Sequence, residues 1–124
     1  MATFPSTERI KSKKLLDTVY KEGEVIKQYP FILRYLKVDF EKGGGVQIVI
    51  AIPKKTIKKA VKRNRLRRQI KEIYRHNKSN LLSQFKEKNK GLALFLVYTG
   101  KGDEDYHHLE NKLTLLLKKL ENTI

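Results

Sequence analysis

The sequence contains no cysteine and no tryptophan. Without thiols, disulfides, thiolate metal sites and cysteine nucleophiles are excluded, and a reducing cytosol is the default compartment. Acids are scarce: 13 Asp and Glu stand against 28 Lys and Arg, a formal net charge of +15. Long apolar runs are missing too. The longest is "LALFLVY", Leu92 to Tyr98, far too short to cross a bilayer. The first residues, "MATFPSTERIKSKK", lack the apolar centre of a signal peptide. A soluble cytoplasmic protein is expected. There are no internal repeats and no low-complexity tracts.

What is present is one core and one concentration of charge. Hydrophobic residues make up 40% of 124, which suits a single domain over 1–124, with polar residues 1–11 loosely ordered. The window 54–75 holds 11 Lys or Arg and one acid, Glu72, for a net charge of +10. Such a balance implies an anionic partner, most commonly nucleic acid. A membrane surface fits less well, because the segment has no Trp or Phe to insert.

The patterning predicts the element order. Ser12 caps a short helix over about 13–21, and Gly23 ends it. A weak strand lies near 24–28. "FILRYLKV" (31–38) is a strand with Phe31, Leu33 and Tyr35 on one face and Ile32, Arg34 and Leu36 on the other. "KGGGV" (42–46) has the look of a hairpin connection. "VQIVIAI" (46–52) is apolar on both faces, so a central strand is expected. The basic segment reads as a helix from about 57 to 76. After a short helical turn and a loop in 77–91, residues 92–98 form a buried strand. Asp103 or Asp105 caps a last helix whose Leu109, Leu113, Leu116, Leu117 and Leu120 form one stripe. Strand, helix, strand across 46–98 suggests one parallel crossover in an otherwise antiparallel sheet.

A helix turns about 100° per residue, which sorts the basic segment into sectors. Leu66, Ile70, Ile73 and Tyr74 make a core side. Asn64, Arg67 and Lys71 make a second side, with Arg63 at its border and small Ala60 beneath. Arg68 and Arg75 lie further round, and Arg65 beyond them. Like charges at i, i+4 cost about a few tenths of a kcal/mol each. Cations at the helix start oppose the macrodipole. Phosphates on this surface would remove both costs. No helix–turn–helix precedes the segment, so a sheet carrying a basic helix points to RNA rather than to a DNA groove.

"KKAVKRNRLRRQIKEIYR" (58–75) resembles the signature of the bacterial ribonuclease P protein component: Ala60, Val61, Arg63, Asn64, Arg65, Arg67 and Arg68 stand at its Ala-Val and Arg-Asn-Arg positions. "PKK" (53–55), "ERIKSKKLLDTVYKEG" and "FILRYL" resemble its other segments, so the likeness covers nearly the whole chain. It implies an α+β fold, α-β-β-β-α-β-α, with a left-handed crossover through the basic helix. It also implies a protein that is not itself the catalyst. The family binds a ribozyme, ribonuclease P RNA, which uses Mg²⁺ to cut the 5′ leader from precursor tRNA.

By matched position, the resemblance implies a leader cleft of Leu16, Tyr20, Ile32, Arg34, Arg63, Asn64, Arg67 and Lys71. It implies ribozyme contacts by Lys54, Lys55, Lys58, Lys59, Lys62, Arg65, Arg68 and Arg75. Leu16 and Arg34 stand where the family often has aromatics, so less base stacking and more phosphate pairing are expected. No protein-bound metal or cofactor, no membrane partner and a single copy in the holoenzyme are expected. Adjacent His107 and His108 point about 100° apart and are poor joint metal ligands. No nucleophile or acid–base pair converges. A general RNA-binding or ribosome-assembly protein is the alternative, and a protein-only nuclease a more distant one.

Overall fold

Side-chain alternation along one strand sets both faces of the sheet. In the computed structural model, which describes residues 13–38, 45–79, 83, 91–101 and 105–123, the order is α1 (Lys13–Glu22), β1 (Glu24–Gln28), β2 (Phe31–Val38), β3 (Gly45–Ala51), α2 (Ala60–Asn77), β4 (Gly91–Tyr98) and α3 (Tyr106–Thr123). On β2, Phe31, Leu33 and Tyr35 are buried while Ile32, Arg34 and Leu36 are half-exposed, as period-2 alternation demands. The order matches the expected α-β-β-β-α-β-α of an α+β fold.

The sheet runs β1-β2-β4-β3. β1–β2 and β2–β4 are antiparallel and β3–β4 is parallel. Two expectations are corrected here. β3 is an edge strand rather than a central one, and it does not pair with β2, so the connection over 39–44 does not join hairpin partners. The reason lies in connectivity. A strand followed by a long helix is carried back parallel to itself, so β3 pairs with β4, and β2 already occupies β4's other side. β3 is nevertheless apolar on both faces because each serves a purpose. Val46, Ile48 and Ile50 are buried, whereas Gln47, Val49 and Ala51 are half-exposed.

The core lies between the sheet and the pair α2, α3. Ile26, Leu33, Leu96 and Ile50 align across the strands, and Tyr35, Leu94 and Ile48 form the next row. Against them pack Leu66, Ile70, Ile73 and Tyr74 of α2 and all five leucines of the predicted α3 stripe. Each such side chain contributes about 1.5–3 kcal/mol. α2 lies over β3, and α3 over β1 and β2. α1 sits on the opposite face, against β2 and β4, and seals it through fully buried Val19.

Local chemistry sets the helix ends. Gly23 N–H donates to the Val19 carbonyl at 2.9 Å. A Cβ on Gly23 would run into that carbonyl and come within 2.9 Å of the Tyr35 carbonyl oxygen, so only glycine lets α1 turn this close to β2. α2 begins at Ala60, later than the predicted 57. Pro53 O accepts from Thr56 N and Ile57 N at 3.3 and 3.2 Å, making a turn that drives Ile57 into the core. Asp105 O accepts from Leu109 N at 3.0 Å, the first bond of α3. The expected Ser12 cap, the arm over 1–11, Asp103 and most of 80–90 lie outside the described residues.

Ile70 is wholly buried beneath α2. Ile70→Ala should lower unfolding stability by about 2–5 kcal/mol, read from urea melts. A loss below about 1 kcal/mol would show that α2 is not seated on the sheet as described.

Candidate nucleic-acid interface

The face of the sheet carrying α1 is only partly covered. Strand register aligns Lys27, Ile32, Val97 and Ala51 in one row, and Val25, Arg34, Phe95 and Val49 in the next. Ile32, Val97, Ala51, Phe95 and Val49 are all half-exposed. The result is an apolar floor beside α1, of the kind that marks a binding surface.

α1 supplies the wall. Tyr20 lies in its last turn and is 57% exposed; Leu16, one turn earlier, is half-exposed. The Arg34 guanidinium lies over the Tyr20 ring, 4.5 Å from its centroid, and its Nη1 donates to the Tyr20 carbonyl at 3.4 Å. Cation–π geometry of this kind is worth about 0.5–1 kcal/mol at exposed sites. The Tyr20 and Phe95 rings are 6.4 Å apart, tilted by 48°. Leu16, Tyr20, Ile32 and Arg34 are therefore brought to one face.

Phe95 was not among the expected site residues. In "LALFLVY" both parities are apolar, so nothing local separates the residues facing the core from those facing the floor. Pairing with Arg34 and Val49 does. The aromatic group that position 34 lacks stands one strand away.

The second basic surface is α2. Its first turn carries no acid, and Lys59 at the N-cap makes no side-chain cap. Lys54, Lys55, Lys58, Lys59 and Lys62 are exposed around this end, as is Val61, at 79%. Arg63 braces the chain that leads into the helix. Its Nη1 donates to the carbonyls of Ile57 and Lys58 at 2.9 and 2.8 Å. The guanidinium thus takes over the role of a cap for the preceding loop. Arg67 Nη1 donates to Asn64 Oδ1 at 3.3 Å, which holds those two side chains together.

The two flanks of α2 face different ways. Arg65, Gln69 and Glu72 border α3 and line a groove with Arg68 and Tyr106. Asn64, Arg67 and Lys71 occupy the flank turned from α3, on the side of β3. They belong to a different layer from Tyr20 and Arg34, with the edge strand β3 between the two sets. A strand of nucleic acid passing from the apolar floor to this flank has only β3 to round.

Glu72 is the sole acid of α2. Its Oε1 accepts from Arg75 Nη2 at 2.7 Å and lies 3.0 Å from His76 Nε2. Its carboxyl is held below the usual glutamate range by the hydrogen bond with His76 and, secondarily, by Arg75, against an opposing effect of desolvation. Burial, with Glu110 and Glu72 nearby, pushes the Tyr106 hydroxyl up. Among the described residues no three His, Asp or Glu side chains gather as metal ligands, and no helix is long and apolar enough to cross a membrane.

Because the Glu72 value is lowered, its contribution is complete above the ordinary glutamate range and is lost as pH falls through the lowered value. Side-chain carbon shifts followed against pH should show this low titration. In His76→Ala it should move back up; an unmoved midpoint would refute the assigned cause.

Residues 4–121 match the family model Ribonuclease P. The ribonuclease P protein component of Porphyromonas gingivalis is 25% identical over 125 residues, covering 99% of this chain and 91% of its own. That of Clostridium botulinum is 32% identical over 112 residues, covering 90% and 92%. Among solved structures, the RNase P protein from Thermotoga maritima superposes with a TM-score of 0.70 at 25% identity, over 90% of this chain and 96% of that one.

Proposed function

The chain belongs to the ribonuclease P protein family, and on that premise we propose that it is the protein subunit of a ribonuclease P ribonucleoprotein, holding both the catalytic RNA and the single-stranded 5′ leader of precursor tRNA. The observation that carries the reading is the juxtaposition of an open apolar floor, topped by Tyr20, with a basic flank just beyond the edge of the same sheet. Unpaired bases need flat apolar partners, and their phosphates need cations. A double helix would offer its bases to neither.

On this reading the leader's bases lie on Tyr20, Leu16, Ile32 and Phe95, and its phosphates meet Arg34, Arg67 and Lys71, with Asn64 donating from its amide. Arg63 adds charge but is anchored to its own loop. The ribozyme takes the α2 start and outer sector: Lys54, Lys55, Lys58, Lys59, Lys62, Arg65, Arg68 and Arg75. Binding the leader favours precursor over product, because product has none. It also lowers phosphate repulsion where Mg²⁺ is held by the RNA. The protein supplies no ligand set of its own among the described residues: the only carboxylate of α2 is engaged by Arg75 and His76. The subunit acts as a single copy, in the cytoplasm.

Reconstitution with a bacterial ribonuclease P RNA tests this, using precursors with and without a leader. The protein should raise cleavage at low Mg²⁺ and favour the leader-bearing precursor. No stimulation would leave a general RNA-binding protein as the better reading. If about four single-strand phosphates are neutralised, log K should fall with log salt at a slope of about −3. Tyr20→Ala and Phe95→Ala should each weaken leader-bearing precursor by about 1–3 kcal/mol, with leaderless precursor unchanged. Asn64→Ala with Arg67→Ala should weaken RNA binding without lowering the melting temperature.

A further inference from the structure

The groove between α2 and α3 lies on the far side of the molecule from the leader floor. It combines features that a plain phosphate site would not. Arg65 and Arg68 border it and are exposed, which suits phosphate. Glu72 also borders it, and its side chain is 44% exposed. An ionised carboxylate repels phosphate and can only accept hydrogen bonds. A glutamate is ionised at neutral pH, and the neighbours of Glu72 favour its charged form further. The bonds with Arg75 and His76 both involve Oε1, so Oε2 retains its acceptor capacity.

Tyr106 closes the end of the groove. Its ring packs on the core at one side, is met edge-on by the His107 ring at 6.3 Å and 81°, and borders the groove. An aromatic ring, a carboxylate and two flanking guanidiniums together match a nucleobase with its backbone. The base edge must present donors to the carboxylate. Guanine alone offers two adjacent ones, N1–H and the N2 amine, on its Watson–Crick edge. Uracil has one between two acceptors; adenine and cytosine set one beside an acceptor. Using that edge requires an unpaired base.

We propose that this groove is a second RNA site, which holds one unpaired guanine of the catalytic RNA against Tyr106, with its N1 and N2 protons both directed at Glu72 Oε2 and its neighbouring phosphates on Arg65 and Arg68. The assignment rests on the reading that this chain binds ribonuclease P RNA. It turns a general basic contact into a base-specific one, and it explains why the basic segment retains a single acid at this place. Gln69, half-buried in the same wall, is positioned to accept from or donate to the guanine's remaining polar atoms.

The test uses the full chain and a bacterial ribonuclease P RNA transcript. Kethoxal modifies N1 and N2 of unpaired guanine, and hydroxyl radicals report the backbone. Wild type should protect one unpaired guanine from kethoxal. Glu72→Gln and Tyr106→Leu should each lose that protection and bind about tenfold more weakly, while the backbone footprint elsewhere is retained. Circular dichroism melts confirm that each variant is folded; Glu72→Gln, at a half-exposed site, serves if Tyr106→Leu is not. Inosine at the protected position lacks the N2 amine. It should weaken wild-type binding about tenfold and leave Glu72→Gln unchanged. Wild-type affinity and protection in folded Glu72→Gln would overturn the guanine site and leave the proposed function standing. Failure of wild type to bind the transcript would overturn the proposed function, and the guanine site with it.

Discussion

β4 is the strand on which everything else is hung. It pairs antiparallel with β2 along Gly91–Tyr98 and parallel with β3 along Gly91–Val97. On its core side Leu92, Leu94, Leu96 and Tyr98 are almost fully buried. On its other side Phe95 and Val97 form the middle of the apolar floor. Because the order in the sheet places β4 between β2 and β3, Arg34 and Val49 become neighbours of the same phenyl ring, although distant in sequence. Without that ladder there is a basic helix and an aromatic helix, but no common surface.

The second constraint is repulsion. A net charge of +10 in 22 consecutive residues is tolerable only because α2 is tied down from beneath. Leu66, Ile70, Ile73 and Tyr74 bury one side completely, and hydrophobic burial of that size exceeds the few tenths of a kcal/mol lost per like-charged pair. The charge can then be arranged for a ligand. It is arranged asymmetrically: one flank beside the sheet edge, another beside α3, each with its own polar companion, Asn64 on the first and Glu72 on the second.

The elements whose period is internal were legible in the sequence. The α3 leucines and the core side of α2 repeat every 3.6 residues, and the β2 alternation needs only β2. Asn64 and Arg67 could be named because their residue types stand in a specific motif, Tyr20 and Arg34 only because their positions match the family's first helix and second strand. The parallel crossover across 46–98 was legible from the strand, helix, strand order and is present as the β3–β4 pair, but the strand order in the sheet, and the faces and edge it creates, were not. β3 looks central because it is apolar on both faces, yet it is an edge. Phe95 is hidden within a run with no polar residue to mark its parity. Tyr106 belongs to a leucine-rich helix, and only its packing beside α2 places it next to Glu72. α2 starts three residues later than its basic composition suggests, because Thr56 and Ile57 close a turn on the Pro53 carbonyl and Ile57 serves as a plug in the loop.

Arg63 ties these points together. Its guanidinium closes two carbonyls of the chain that leads into its own helix, so one side chain contributes both to the outside potential and to the local fold. Both bonds leave one nitrogen, Nη1, and the positive charge that strengthens them is the same charge a polyanion meets. The property that attracts a polyanion and the property that shapes the binding helix are thus inseparable at this position. Any redesign that sought a folded but uncharged version of the domain would have to invent a new way to begin α2.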